Sequence, residues 1–324
     1  MEGILPTERK GSLRRRLTTK LSVPHGFSGS KEYIIPVSQE LIEELGIYFV
    51  AFDRAGYGES DPNPKRSVKS EAFDIQELAD QLELGSNHPL LPFPFRERME
   101  GKAKNRGTNR KRGTNRKRVR CPLEASVGRY GVRLLTGAAL IVPVINYWWP
   151  SFPSHLSREA YKLQLVQDQW TLRVAHYTPL LLYWWMTQNW FPASAVAARH
   201  PEIFSPLTKK IAEKLMAARK PDQDKARQQG DFESRHRDMM VAFGTWEFDP
   251  MDLNNPFPNN ETSVHIWQGY EDRLVPTILQ RYVAKRLPWI KYHEIPNAGH
   301  LLHHVDGMGN NIIRSLLLKE EAST

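Results

Sequence analysis

The sequence of 324 residues contains a single cysteine, Cys121. One cysteine excludes an intramolecular disulfide and a zinc site built from cysteines, and it fits either a reducing compartment or indifference to redox state. The compartment is left open, with the cytoplasm favoured. Apolar runs of about 18 residues or more are lacking, and the sequence therefore predicts no transmembrane helix. The first residues are basic, but no apolar segment follows them, which argues against a secretory signal.

The net charge of +9 comes from one segment. Residues 96–120 hold twelve Lys and Arg against two Glu, so the rest of the chain is close to neutral. The segment repeats the unit GTNRKR, at Gly107–Arg112 and Gly113–Arg118. Aromatic residues are not interleaved with the basic ones, so binding to nucleic acid would be driven by phosphates and unspecific. We therefore expect no specific nucleic-acid partner, and we expect residues 96–120 to be disordered.

Strand and helix patterns alternate along most of the chain and predict an α/β fold with a mostly parallel sheet. Continuous apolar runs predict strands at Ile47–Asp53 and Leu135–Tyr147, and two more precede the last predicted helix. An amphipathic pattern predicts a helix over Asp74–Gly85 that ends at Gly85. The predicted domain boundaries give an irregular segment at 1–22 and a core formed by residues 23–147 and 256–324. Residues 148–255 are predicted to form a helical cap and are called the cap segment below.

Four short motifs lie where predicted strands end, which is where functional groups gather in a parallel sheet. They are His25-Gly26, the stretch FDRAGYGESD around Asp53–Ser60, the stretch Gly269–Asp272 and Gly299-His300. Between Asp272 and His300 there is room for one helix and one strand.

In this order the motifs resemble those of the α/β-hydrolase superfamily. The sequence from Phe52 to Gly85 looks most like that of an uncharacterised plant branch of the superfamily. The resemblance covers roughly residues 23–87 and 135–318. It implies a helical cap, a small ester, amide or lactone as substrate, and no cofactor or metal. Asp272 and His300 correspond to the acid and the base, and His25, Gly26 and Phe27 to an oxyanion loop acting through the Phe27 N–H.

The nucleophile of such a triad is not identified in this sequence. The family places it in a G-x-S-x-G turn, which occurs nowhere in the chain. The nearest match is Ser126 in EASVG, but Glu124 stands where the turn needs a small residue, and a basic, proline-containing stretch precedes it. Cys121, which Pro122 follows, is a poorer candidate. The aberrant, basic and proline-rich residues 87–134 occupy the place of the nucleophile strand and most of its helix.

This replacement leaves several interpretations open. The chain is a hydrolase that is inactive as written, or a non-catalytic relative that binds a small ligand or a partner; in a lesser alternative the basic segment binds nucleic acid. Translated non-coding sequence, such as a retained intron, would also explain residues 87–134. We further expect loss of the central strand to open the core and residues 87–95 to be poorly packed.

Individual residues also have plainer interpretations. Gly56 and Gly58 could belong to a dinucleotide loop, but a third glycine is missing, which favours a structural turn. His303 and His304 could suggest a metal cluster, yet solvated histidines are expected. The tryptophan pairs 148–149 and 184–185 are expected in the core of the cap segment and not in a substrate cage. His25 could be a strand-end histidine, and Asp272 a surface carboxylate.

Overall fold

The structure, a computed structural model, describes residues 19–84, 137–193, 204–217, 225–255, 257 and 263–318. Strands β1 (Thr19–Pro24) and β2 (Ile47–Phe52) pair in parallel, with Leu21 opposite Phe49. The helix between them, α1 (Gln39–Leu45), begins at Ser38, whose hydroxyl accepts the N–H of Leu41. The sequence KLSV before His25 indicates a short strand, and β1 forms there, although it starts inside the segment 1–22 that is otherwise expected to be irregular.

Helix α2 spans Val68–Gln81, so the predicted bounds of 74–85 were wrong at both ends. Ser67 and Ser70 cap its start reciprocally: each side chain accepts the backbone N–H of the other residue. The helix ends before Gly85, which lies outside the described residues, and Leu82 takes the C-terminal capping position. A serine stands at the third position of the capping box in place of the usual Glu or Gln, so the sequence carries a weak start signal and the prediction misses the first six residues.

A second group of strands pairs in parallel in the order β3 (Ala138–Ile141), β4 (Val264–Gly269) and β5 (Ile290–Ile295). Val264 of β4 lies opposite Ala138 on one side and Ile290 on the other. The predicted strand over residues 135–147 is therefore shorter than expected. After Ile141 the chain turns away at Val142, which has a positive φ of 44°, and the segment up to Tyr147 leaves the sheet.

The described residues between β3 and β4 are mainly helical. The helices are α3 (Ser154–Lys162), α4 (Val166–Tyr177), α5 (Leu182–Thr187), α6 (Pro206–Ala217) and α7 (Arg237–Phe243), the last preceded by a π-helical turn at Phe232–His236. Short 3-10 turns lie at Pro179–Leu181 and Pro250–Asp252. Helix α8 (Thr277–Arg286) connects β4 to β5, and α9 (Met308–Leu317) follows β5.

One hydrophobic cluster joins the two groups of strands. Leu21 of β1 and Ile47 of β2 belong to the same buried cluster as Ala139 of β3 and Trp267 of β4, together with Ile312 of α9. A second cluster joins β4 and α8 to the start of the cap segment. None of the described helices is long and apolar enough to cross a lipid bilayer.

Candidate active site

Asp272 is buried in the turn that follows β4. Its Oδ1 accepts the backbone N–H groups of Leu274 (2.8 Å) and Val275 (2.9 Å), and its Oδ2 accepts the Gln268 amide (3.2 Å). With a side chain that is fully covered, Asp272 is not the surface carboxylate of the plainer interpretation. These donors compensate the cost of burying a carboxylate and fix its orientation.

His300 lies in the turn after β5 and meets this carboxylate. Its Nδ1 is 3.0 Å from Asp272 Oδ2. Because a carboxylate only accepts hydrogen bonds, Nδ1 carries the proton and donates, which leaves the lone pair of a neutral ring on Nε2. Nε2 makes no hydrogen bond within the described part of the chain, and about a third of the side chain is exposed. The structure thus brings together the two predicted residues that lie 28 positions apart.

The carboxylate changes the proton affinity of this imidazole. Burial by itself lowers the pKa of His300, but the charge of Asp272 and its hydrogen bond outweigh burial, so the pKa lies above the ordinary value of 6.5. A base of this kind is poised to take a proton on Nε2 while Asp272 stabilises the resulting cation.

Glycines allow the turn carrying Asp272 and the turn carrying His300 to approach each other. A Cβ at Gly269 would lie 2.5 Å from the Gly299 carbonyl oxygen. A Cβ at Gly299 would lie 2.2 Å from Thr208 Oγ1 and 3.0 Å from Ser205 Oγ. The N-terminal end of α6 therefore packs directly beside His300, a neighbour that the sequence did not reveal.

The predicted oxyanion residues form a turn after β1, which we call the His25 loop (His25–Ser28). The His25 ring is buried; its Nε2 accepts the N–H of Arg54 (3.1 Å), so Nδ1 carries the proton and donates to the Gly26 carbonyl (2.9 Å). Burial, reinforced by the charge of Arg54, lowers the pKa of His25 to about 3, which keeps the ring neutral. The Phe27 N–H has no hydrogen-bond partner among the residues that the structure describes.

The stretch around Asp53 forms a structural turn, which is the interpretation favoured over a dinucleotide loop. Gly56 and Gly58 have positive φ angles of 78° and 49°, which only glycine adopts readily. A Cβ at Gly56 would lie 2.2 Å from the Glu233 carbonyl oxygen, so this turn packs tightly against the cap segment. Asp53 accepts the N–H of Lys31 (2.9 Å), and this bond links the turn to the chain that follows the His25 loop.

His303 and His304 are not the solvated histidines that the sequence suggested. His304 Nε2 is hydrogen bonded to the Tyr33 hydroxyl (2.8 Å), and the His303 ring packs edge-on against Tyr33. Burial, with the neighbouring His304 and His300, lowers the pKa of His303 to about 3. Both side chains therefore belong to the packing that joins the Tyr33 segment to the turn bearing His300. No group of three metal-binding side chains is present in the described ranges.

The tryptophan pairs differ from each other in environment. Trp149 is buried in the cluster that joins β4 and α8 to the start of the cap segment, and Trp148 stacks on His176 with ring centroids 4.3 Å apart. Trp184 is about half exposed and contacts Trp190 edge-on, so its placement in a core was wrong. Ser126, Cys121 and the basic segment 96–120 lie outside the described residues, as do residues 87–95.

Sequence reasoning missed Asp238 of α7, which connects the cap segment to the His25 loop. It is buried and accepts hydrogen bonds from Arg54 Nη2 (2.6 Å), Tyr57 Oη (2.5 Å) and Arg66. Arg54 and Tyr57 belong to the predicted motif FDRAGYGESD, but nothing in that motif indicates a partner more than 180 residues away.

Solved structures show which fold this is. The protein Rv0554 of Mycobacterium tuberculosis is 16% identical with a TM-score of 0.54, and the match covers 94% of this chain and 91% of that one. The protein BpoC of M. tuberculosis H37Rv, assigned as a non-heme bromoperoxidase, is 15% identical with a TM-score of 0.52 (93% and 90% covered). A bromoperoxidase of Bacillus anthracis is 15% identical with a TM-score of 0.51 (93% and 92% covered).

These neighbours have the α/β-hydrolase fold, and so does this chain. The fold predicted from the motif order is thereby confirmed. No protein-family model matches the sequence, and comparison with the curated proteins gives no match.

Proposed function

We propose that this protein carries the site of a small-ester hydrolase, acting on an ester, amide or lactone, from which the nucleophilic serine has been lost. The observation that carries the proposal is the hydrogen bond between Asp272 and His300, with Nδ1 donating and Nε2 open. In a hydrolase of this kind Nε2 accepts the proton of the attacking hydroxyl, and Asp272 stabilises the imidazolium that forms. The N–H of Phe27 would donate to the oxyanion of the tetrahedral intermediate.

The missing serine determines what the site can do. Without a nucleophile no acyl–enzyme bond forms, so the proton that Nε2 would accept has no source except water. Loss of the nucleophile in serine hydrolases costs about a millionfold in kcat. The second oxyanion donor, the N–H following the nucleophile, would be lost with it. We therefore propose a site that binds small ester-like molecules and turns them over hardly at all.

A turnover experiment tests the first half of this proposal. The purified protein and the His300→Ala variant are incubated with p-nitrophenyl acetate, and release of p-nitrophenol is followed. We expect equal rates, and no serine labelled by a fluorophosphonate probe in mass spectra of the intact protein. Turnover that depends on His300, or a labelled serine such as Ser126, would show that the chain has a nucleophile after all.

A binding experiment tests the second half. The unreactive amide 4-nitroacetanilide replaces the ester, and saturation-transfer NMR measures its contact with the protein. We expect a signal that weakens in the variants His300→Ala and Phe27→Pro, the latter removing the proposed N–H donor. The control Tyr282→Phe removes a hydroxyl that donates to the Ser151 carbonyl, and this variant should bind normally. Absence of binding to the parent protein contradicts the proposal.

The origin of residues 87–134 is tested separately. If these residues are translated non-coding sequence, transcripts across codons 85–137 will show a spliced form that lacks them. An in-frame message reading through the GTNRKR repeat contradicts that explanation.

A further inference from the structure

A buried charge cluster connects the cap segment to the core behind the His25 loop. It consists of Arg54 and Arg66, with the carboxylates of Glu71 and Asp238. Each arginine contacts both carboxylates, so two positive and two negative charges balance. Asp238 is 2% exposed and Tyr57, whose hydroxyl joins the cluster, is 0% exposed. Balance and hydrogen bonding are what make such burial tolerable.

The cluster reaches the His25 loop at three points. The Arg54 backbone N–H donates to His25 Nε2 (3.1 Å), and its Nη2 donates to the Gly26 carbonyl (3.4 Å). At the far end of the loop, the Ser28 N–H donates to Tyr57 Oη (3.1 Å). Phe27, the proposed oxyanion donor, therefore lies between residues that are held on both sides.

Asp238 orients both of the residues that make these contacts. Its Oδ2 accepts Arg54 Nη2 and the Tyr57 hydroxyl hydrogen. Because Tyr57 donates to Asp238, a lone pair of its oxygen is left to accept the Ser28 N–H. Removing the carboxylate would free the hydroxyl to rotate and would leave Arg54 without this counter-charge.

The backbone of the loop needs such support. Ser28 has a φ of 54°, in the left-handed region that residues other than glycine rarely adopt. A conformation of this kind persists only where the surroundings hold it in place. The His25 ring, packed edge-on against Tyr57 with centroids 4.7 Å apart, adds a steric constraint to the hydrogen bonds.

We propose that Asp238 is a positioning residue that fixes the His25 loop through Arg54 and Tyr57, so that docking of the cap segment on the core orients the Phe27 N–H toward the bound ligand. The role in ligand binding rests on the proposed function, but the positioning itself does not. Its consequence is that ligand affinity depends on a residue of the cap segment whose carboxylate, among the described residues, bonds to Arg54, Tyr57 and Arg66 and not to the His25 loop itself.

The test measures the loop directly in isotope-labelled protein, with Tyr57→Phe and Asp238→Asn as the variants. Hydrogen exchange of the Ser28 amide should accelerate roughly two- to tenfold in Tyr57→Phe, the range expected for loss of one hydrogen bond. The amide proton shift of Ser28 and the ring nitrogen shifts of His25 should move in Asp238→Asn. Exchange in β4 and β5 should stay at the parent rate in Tyr57→Phe, which shows that the effect is local.

Two controls match these variants in chemistry. Tyr282→Phe removes a half-buried hydroxyl that bonds elsewhere, and Asp231→Asn removes a carboxylate of the cap segment that pairs with Arg227 and Arg235 nearer the surface. Both should leave Ser28 and His25 unchanged. If Asp238→Asn fails to fold, Tyr57→Phe decides alone, because it keeps the ring and every charge.

Parent-like exchange at Ser28 in Tyr57→Phe would overturn the inference, as would His25 shifts that are the same in folded Asp238→Asn as in the parent. Neither measurement needs a ligand, so their failure leaves the proposed binding of esters standing. Conversely, a parent protein that does not bind 4-nitroacetanilide contradicts the proposed function without affecting these results.

Discussion

At the scale of single residues, the hydrogen bond between Asp272 and His300 sets the protonation of the imidazole. Burial favours the neutral ring, and the carboxylate favours the cation more strongly, so the pKa lies above 6.5. A raised pKa means that the pair stabilises the folded protein fully below the unfolded pKa of about 6.5, and that this contribution is lost as the pH rises through the folded pKa.

Replacing Asp272 by Asn should therefore lower the pKa of His300 below its value in the parent protein, because burial remains and the opposing charge is gone. A pH titration of the ring resonances by NMR measures this. Glu271→Gln serves as the matched control, since it neutralises the adjacent carboxylate while its backbone N–H still donates to Ala298 (2.8 Å). An unchanged His300 titration in Asp272→Asn would show that the carboxylate does not govern this imidazole.

How much of the site is predictable from the sequence depends on whether a residue carries a local pattern. Asp272, His300 and His25 could be predicted because each follows a strand in a recognisable short motif. Asp238 was not predicted, because its partners lie more than 170 residues away and its own surroundings have the pattern of an ordinary helix. Long-range polar contacts leave no periodicity in either segment, so tertiary structure alone reveals them.

At the scale of elements, strands β2, β4 and β5 and helix α9 follow from their apolar patterns, whereas the ends of elements do not. α2 starts at a serine capping box, and β3 stops where Val142 takes a left-handed conformation. Such stops depend on neighbouring elements: the N–H of Val142 still bonds to Trp267 of β4 while the chain turns away. The sequence therefore predicts the existence of an element better than its length.

The turn after β2 and the π-helical turn before α7 pack against each other at Gly56. Alanine there would meet the Glu233 carbonyl at 2.2 Å and would have to keep a φ of 78°. We expect Gly56→Ala to lower the free energy of unfolding by about 2 kcal/mol or more, from backbone strain and overpacking together. Urea unfolding measures the change.

Two other glycines separate these contributions. Gly230 has a φ of 95° with open space around it, so Gly230→Ala should show the backbone cost alone. Gly26 has no positive φ, and a Cβ at this position would meet no neighbour within 4 Å, so Gly26→Ala should cost least. If Gly56→Ala costs no more than Gly230→Ala, the contact between these two turns is not tight.

At the scale of the whole molecule, several histidines are held neutral by their burial. The pKa is lowered to about 3 for His25, His265 and His303, and to about 4 for His293, with burial the largest cause in each. His265 and His293 form a pair across β4 and β5, with His265 Nδ1 2.9 Å from His293 Nε2, and Ser263 Oγ is 2.7 Å from His265 Nε2.

These groups predict that acid destabilises the fold. Below the unfolded pKa of about 6.5, these histidines bind protons in the unfolded chain but stay neutral in the folded protein. The free energy of unfolding therefore falls as the pH falls toward the folded pKa values. His300 acts in the opposite direction, and so do Glu71 and Asp74, whose pKa values are raised by burial. By pH 5 a fully buried neutral histidine contributes a loss of about 2 kcal/mol.

The variant His265→Asn isolates one of these contributions. Asparagine does not titrate, so the loss of unfolding free energy between pH 6.5 and pH 5 should be smaller than in the parent protein by up to about 1.6 kcal/mol, even if the variant is less stable at neutral pH. Urea unfolding at several pH values measures the slope. His155→Asn makes the same substitution at an exposed position of α3 and controls for the effect of the asparagine itself. Equal slopes in His265→Asn and the parent would mean that His265 is protonated alike in the folded and unfolded states, and that the strand pair does not hold it neutral.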